Sequence, residues 1–471
     1  MAKIITAPKI SSALLDAITS NKVWGEKSLQ YFFGNQDSLS LDSEFESAFH
    51  ENFSGDPDAV FAFKAVAEKA YTSLSAVSRL NLTQTTNTSK ADLVLVSSET
   101  PTEGDLEGYF EFPGSSFRAS GDSWQLGGFN SGEATLLASA EKGGGEYANW
   151  TVLHEIGHSM GLMHTHNEET GDPLSVVGVL DNERYSVMSY NAASGGTKYG
   201  HAVTYMALDI ASLQALYGKA DYAEGTSSYR LTAAKSASLL LDEGKMSIGR
   251  AYACVWDTGG SDTISVSGGD FSIINLFDAT LKTSGNTGAM ARTLAALKTT
   301  DFYDDLSSTI RKEITNAAYN AGGSFSQILQ EGVNGLKSIG GGFTIANGAV
   351  IENAKGGAGD DLLIGNEAKN VLSGGGGNDT LLSSSGNDIM NGGGGADTFV
   401  FARGDGRDVI TAFTGLDVIA LVNLTGVTSF ASFKSHAVDT EDGVLLTVGS
   451  DKLLIKGAVE SDLVKGDFLF A

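Results

Sequence analysis

The spacing of apolar residues changes along this chain. Across residues 56–78, Val60, Phe63, Ala67, Ala70 and Leu74 recur at the interval of one helical face, which predicts an amphipathic helix. Residues 150–162 and 206–217 read as two further helices, and 24–33, 91–96, 107–113 and 123–130 as short strands. This mixture predicts an α+β domain over residues 21–240, preceded by a weakly ordered segment, 1–20, that is a candidate propeptide. Near Gly218 the pattern shifts to short β-type segments separated by Gly, Asp and Ser. Residues 285–337 interrupt them, with helical character over 289–297 and 301–319. From Gly356 a nine-residue block repeats: GGAGDDLLI, GNEAKNVLS, GGGGNDTLL, SSSGNDIMN and GGGGADTFV. Looser echoes end in Asp408-Val409-Ile410 and Asp417-Val418-Ile419, and the remainder, 420–471, reads as alternating strands. An apolar residue at the eighth position, such as Leu363, Leu381 or Phe399, is placed to fill a core. Residues 241–471 are thus expected to form an all-β domain with a helical insertion over 285–337.

Composition narrows the classes. Gly accounts for 59 of 471 residues and Pro for only 5; without a Gly-X-Y period this excludes collagen and points to many tight turns. A hydrophobic share of 41% is too high for a disordered chain. The net charge of −26 argues against nucleic acid and suits cations. The single cysteine, Cys254, closes no internal disulfide, so bound metal is the available source of stability outside a cell. The sequence contains no apolar run of about 18 residues that would span a membrane. By classical signals alone, the missing N-terminal apolar stretch leaves the protein in the cytoplasm.

The chemistry concentrates in His154-Glu155-Ile156-Gly157-His158-Ser159-Met160-Gly161-Leu162-Met163-His164. Two histidines four residues apart share a helical face and can reach one ion. Imidazole nitrogens suit zinc. Glu155, beside the first histidine, is placed to act as general base on water at the metal. Gly161 can take positive φ and end the helix, so that the chain returns His164 as a third ligand. Three protein ligands leave a position open for water and substrate, the mark of a catalytic rather than a structural zinc.

This motif resembles that of the metzincin zinc proteases, and Ser186-Val187-Met188-Ser189-Tyr190 is similar to their methionine turn in the form found in serralysins. Further stretches are similar in the same order, at 207–211, 216–218, 255–263, 345–348, 351–354 and 397–401. The resemblance implies a secreted zinc endopeptidase. It makes Met188 the hydrophobic floor under the metal and Tyr190 a further zinc ligand that swings away to steady the oxyanion. The chain departs from the family at Thr165, where serralysins usually have Pro, and at 285–337, which replaces a short loop and is expected to be a structural cap, with a substrate-gating element as the alternative. His166 is expected to be a solvated bystander.

The nine-residue blocks resemble the RTX parallel β-roll. Calcium takes several hard oxygens; glycines let carbonyls turn inward and aspartates add charge. Two blocks make one coil, so Asp361, Asp379 and Asp397, 18 residues apart, share an edge. The resemblance implies one calcium at Gly357, Gly359, Asp361, Gly374, Gly376 and Asp379, and a second at Gly375, Gly377, Asp379, Gly392, Gly394 and Asp397. Asp257, Gly259, Gly260, Asp262 and Glu352 resemble a further calcium cluster. On the opposite edge Asn370 and Asp388 lie among Asn366, Ala368, Ser383 and Ser385 instead of glycines, which predicts weak or absent calcium.

Residues 121–130, with Trp124, resemble the strand above the zinc cleft to which an extended substrate adds by backbone hydrogen bonds. The family's partners are protein substrates, an ABC-type exporter and a small β-barrel inhibitor. The exporter reads an uncleaved C-terminal signal, whose form Asp467-Phe468-Leu469-Phe470-Ala471 fits. The resemblance therefore reverses the cytoplasmic expectation and implies a secreted monomer. Two other readings stay open: a calcium-dependent surface or binding protein whose protease domain no longer cleaves, and a narrow processing enzyme.

Overall fold

A computed structural model describes residues 2–34, 57–98, 108–110, 112–113, 125–130, 146–192, 200–234 and 245–471, and structural statements refer to these. They form two compact units, one mainly of Met1–Tyr222 and Ala251–Trp256, the other mainly of Ala223–Ala234 and Asp257–Ala471. The chain first enters the second unit at Ala223, and the fully buried strand Tyr252–Val255 belongs to the first unit. It is held there by Val203 N donating to Tyr252 O at 2.9 Å and Cys254 N to Thr204 Oγ1 at 2.9 Å.

The first unit carries a five-stranded sheet in the order Asn81–Gln84, Ser28–Phe33, Leu93–Ser98, Gln125–Asn130, Gly108–Phe110. The first four strands are parallel and the last is antiparallel. Parallel neighbours need a crossover, and the helix Pro57–Val77 supplies one, burying Ala67, Ala70 and Leu74 at the anticipated spacing. The alternation over 24–33 does not make one strand. Lys22–Trp24 pairs with Ile4–Thr6 while Ser28–Phe33 enters the large sheet. Gly25 is the joint, since a Cβ there would lie 2.8 Å from Ile5 Cγ2.

The N-terminal segment is ordered, contrary to its weak pattern. Ser12 caps the helix Ala13–Asp16, and Leu14, Leu15 and Ile18 are buried. Ser20 N donates to Gly161 O at 2.7 Å and Met163 N to Ile18 O at 2.9 Å. The segment is too short to show a period, and its order comes from these distant partners.

The second unit is built on a ten-stranded and an eight-stranded sheet. An 18-residue parallel register sets Leu363 beside Leu381 and Leu381 beside Phe399 in one, and Ala354 beside Leu372 and Leu372 beside Met390 in the other. By strand alternation the neighbours of Leu363 face the other way. These residues, Leu362 and Ile364, join Leu382, Val400 and Ala420 in a core with Met290, Leu294, Leu297, Phe302 and Ile310 of the insertion. The insertion thus covers the outer face of the eight-stranded sheet. That explains the near-continuous apolar runs of Asp361–Ile364 and Val418–Val422, because a sheet covered on both faces has no polar face. The insertion folds as helices Gly288–Leu297, Asp301–Asp305, Ser308–Thr315 and Ala317–Asn320, then contributes strands Gln327–Gln330 and Lys337–Ser338 to the same sheet. The C-terminal stretch read as strands alone also contains the helix Phe430–His436, capped by Ser429.

Candidate metal centre

The helix Glu146–Ser159 carries His154 and His158 one turn apart. Gly161, at φ +89°, ends it, with Gly161 N donating to His158 O at 2.9 Å and Leu162 N to Gly157 O at 3.0 Å. The chain then reverses and returns His164. The Nε2 atom of His154 lies 3.0 Å from that of His164, and His158 Nε2 lies 3.1 Å from each. Ligands at zinc's usual distance in a tetrahedron stand about 3.3 Å apart, so the triangle fits such an ion.

The outer nitrogens decide the tautomers. His154 Nδ1 donates to Val187 O at 2.7 Å, His158 Nδ1 to Leu162 O at 2.9 Å and His164 Nδ1 to Glu168 Oε1 at 2.6 Å. Each ring therefore turns an Nε2 lone pair toward the other two, an arrangement that repels unless a cation sits among them. Burial, helped by the neighbouring rings, holds His154 well below the ordinary histidine range and His158 down at about 3. Burial lowers His164 as well, against the pull of Glu168. Neutral imidazole is the metal-binding form. Glu168, which orients the third histidine, was not singled out from the sequence; its offset of four from His164 is a signal only once that loop's conformation is known.

Met188 is buried under the helix, where a Cβ at Gly157 would lie 2.9 Å from its Sδ. The turn that bears it is held by Asp209, which accepts from Ser186 Oγ at 2.6 Å and Val187 N at 2.8 Å. Tyr190 is exposed, with its ring centroid 5.3 Å from that of His154 and 4.7 Å from that of His164. Glu155 is half-buried on the same helix. His166 is not solvated: it is buried and stacks on His164 at 4.9 Å and 11°. It stands outside the Nε2 triangle.

The expected substrate strand needs correction. Gln125–Asn130 has Leu93–Ser98 on one side and Gly108–Phe110 on the other, so over 127–129 it has no edge for a peptide. Gly108–Phe110 is the terminal strand, and nearby Phe112 lies against His158, ring centroids 4.7 Å apart. Trp124 lies outside the described residues.

In the second unit Asp361, Asp379 and Asp397 stack as one ladder that Asp417 continues. Asp361 N donates to Asp379 Oδ1 at 2.8 Å, Asp379 N to Asp397 Oδ1 at 2.9 Å and Asp397 N to Asp417 Oδ1 at 2.9 Å. Gly357 N donates to Asp361 Oδ2 at 2.6 Å, Gly376 N to Gly357 O at 3.1 Å and Gly377 N to Gly394 O at 2.9 Å. A Cβ at Gly374 or Gly392 would lie 2.1 or 2.0 Å from the Oδ2 of Asp379 or Asp397, and one at Gly359 2.4 Å from Asp270 O. Gly375, at φ +115°, approaches Gly357 O equally closely. Asp379 Oδ2 is buried with no hydrogen-bond partner among the described residues, and burial pushes its carboxyl up to about 8. An orphaned acidic oxygen of this kind suits a cation.

The earlier cluster is also drawn together. Gly259 N donates to Asp257 Oδ1 at 3.2 Å and Asp262 N to Glu352 Oε2 at 2.8 Å, while Gly260, at φ +135°, packs on Gly225 O. Tyr229, absent from the sequence reading, donates its hydroxyl to Asp257 Oδ2 at 2.7 Å. On the edge that lost its glycines, Asn370 Nδ2 donates to Asn366 Oδ1 at 2.9 Å, an amide in the place of a charge. One and two coils on, Asp388 and Asp408 keep buried Oδ2 atoms without a partner among the described residues.

Two family models match this chain. Residues 64–216 match the metallo-peptidase family M12B reprolysin-like model, and segments within 348–408 match the RTX calcium-binding nonapeptide repeat. Metallopeptidase AprA of Pseudomonas marginalis is 37% identical over 317 residues, covering 62% of this chain and 55% of that one. Metalloprotease AprA of Pseudomonas entomophila is 31% identical over 274 residues, 56% of this chain and 44% of that one. Serralysin C of Dickeya chrysanthemi is 30% identical over 271 residues, 55% and 43%. The chain resembles the serralysins. It spans about half the length of these curated relatives. Its serralysin-like character rests on both units, an α/β unit with the three-histidine cluster and a parallel roll with the RTX repeats. Among the described residues no helix is long and apolar enough to cross a membrane.

Proposed function

We propose that this chain is a calcium-stabilised zinc endopeptidase acting on proteins outside the cell. The reading is carried by three buried histidine Nε2 atoms 3.0–3.1 Å apart whose Nδ1 hydrogens are all engaged elsewhere. His154, His158 and His164 would hold the ion, with Tyr190 as a further ligand at rest. Zinc, when bound, would supply Lewis acidity that acidifies water and polarises the scissile carbonyl. Glu155 takes the proton of the attacking water and returns it to the leaving amine. Tyr190, swung toward the substrate, donates its hydroxyl to the developing oxyanion. An extended substrate adds to the edge of Gly108–Phe110 by backbone hydrogen bonds, which give affinity with little side-chain selectivity.

Calcium would occupy the two sets along the Asp361–Asp379–Asp397 edge and the Asp257–Asp262–Glu352 cluster. The proposed route out is an ABC-type exporter reading residues 467–471. In the folded chain Phe468–Phe470 is a strand paired with Val418–Val422, so the exporter would have to meet the chain before the roll folds. Low cytosolic calcium would keep it unfolded.

The test is casein degradation by the zinc-loaded chain and by Glu155→Ala, with zinc content measured for both. Cleavage by the first alone supports the proposal. Equal inactivity of two zinc-replete proteins favours a binding protein instead.

A further inference from the structure

Asp181 is buried between the loop that follows His164 and the turn that bears Tyr190. Its Oδ1 accepts from Thr165 Oγ1 at 2.5 Å and from Ser189 Oγ at 2.7 Å; its Oδ2 accepts from Asn191 Nδ2 at 2.8 Å. One carboxylate therefore bonds the residue after the third histidine and both residues flanking the tyrosine. Thr165 and Ser189 are fully buried, so neither hydroxyl can exchange this acceptor for water, and losing it leaves an unpaired donor.

Both segments are irregular, and no helix or sheet ladder sets their separation. Thr165 O accepts from Leu174 N at 3.0 Å, which fixes the loop's far side but not its approach to the turn. Thr165 stands where a proline would have no hydroxyl to donate.

We infer that Asp181 is a positioning residue that holds His164 and Tyr190 in a common register, and that Thr165 is its hydrogen-bonded link to the histidine loop, beside His166, whose Nδ1 lies 3.8 Å from the same Oδ1. The inference rests on the zinc reading of the three histidines. Asp181 touches neither the ion's ligand atoms nor substrate. It acts by keeping two irregular segments at one spacing, as groups around a metal site orient its ligands.

Three comparisons test it on the zinc-loaded full chain. Thr165→Val keeps the shape and deletes the hydroxyl, whereas Thr165→Ser keeps the hydroxyl. The valine variant is expected to release zinc to a chelator about tenfold faster and to lose about tenfold in kcat with KM little changed, as for other orienting partners of metal ligands. The serine variant is expected to behave as wild type in both. Asp181→Asn sets an amide donor against the Asn191 donor, and combining it with Asn191→Asp restores a donor–acceptor pair with the roles exchanged. The double variant is expected to recover most of what the single one loses. Zinc release from Thr165→Val as slow as from wild type overturns the inference, and so does a fall in melting temperature with unchanged zinc release. Should Asp181→Asn fail to fold, the valine and serine pair still decides. A wild type that holds zinc but cleaves nothing sinks the endopeptidase reading alone, because zinc release remains measurable.

Discussion

At the histidine centre three uncharged rings converge, each held from behind by a carbonyl or carboxylate. Along the roll's edge four carboxylates stack one coil apart, and burial pushes the second up to about 8. On the proposed reading the two regions meet the same task, binding a cation, under opposite electrostatic conditions. Neutral ligands repel weakly, so backbone and side-chain partners can assemble them in advance. Buried carboxylates repel strongly, so their assembly waits for the ion. Zinc should therefore matter to chemistry more than to folding, and calcium to folding more than to chemistry.

The sharpest way to break this contrast is selective ion removal. A calcium chelator at neutral pH should abolish the cooperative unfolding transition of the second unit, since metal binding there amounts to folding energy. Stripping zinc should leave both units folded, as followed by circular dichroism and calorimetry. A roll that melts cooperatively in chelator would refute the comparison. Next in size, Glu155→Gln should cut kcat by about 10²–10⁴, the usual worth of a general base, with melting temperature and zinc content unchanged.

Smaller effects grade the roll itself. Gly393, at φ +107°, would place a Cβ 2.1 Å from Gly375 O, whereas Gly285, at φ +70°, faces open space. Gly393→Ala should cost about 3 kcal/mol from clash and backbone strain together, and Gly285→Ala about 1 kcal/mol from backbone strain alone. Denaturant melts in calcium measure both.

Last comes pH. Burial raises Asp379, Asp388 and Asp405 to about 8 from the unfolded value near 3.8. Between those values the folded chain without calcium binds more protons than the unfolded one, so its stability falls as pH rises. Calcium-free protein should regain part of its ordered roll as pH drops from 8 toward 5, and saturating calcium should erase the share due to Asp379, which lies on the edge proposed to bind it. A calcium-free roll equally unfolded at both pH values would count against the carboxylates as the source of the cost.

Much of both sites was legible from spacing. The offsets of His154, His158 and His164 imply a helix, a glycine stop and a return, and the 18-residue interval of Asp361, Asp379 and Asp397 implies one shared edge. Less legible were the residues that act through distant contact. Glu168, Asp181 and Tyr229 carry no period, and their roles depend on which loops meet. The proposed peptide-binding edge moved for a related reason: Gln125–Asn130 does form a strand, but its exposure depends on Gly108–Phe110 lying beside it.

The sequence by itself determined the local units: the metal helix, the coil length, the positions that demand glycine. Those follow from interactions within a few residues or from a strict repeat, where periodicity and steric demand suffice. Only the tertiary structure decided what covers what. The helices of 285–337 cover the outer face of the eight-stranded sheet, and Ile18 and Ser20 bond the turn that ends the histidine helix. Asp181 gathers two loops that are far from obvious partners in the sequence. Apolar burial is non-directional and names no partner, so these choices are settled only when the whole chain packs.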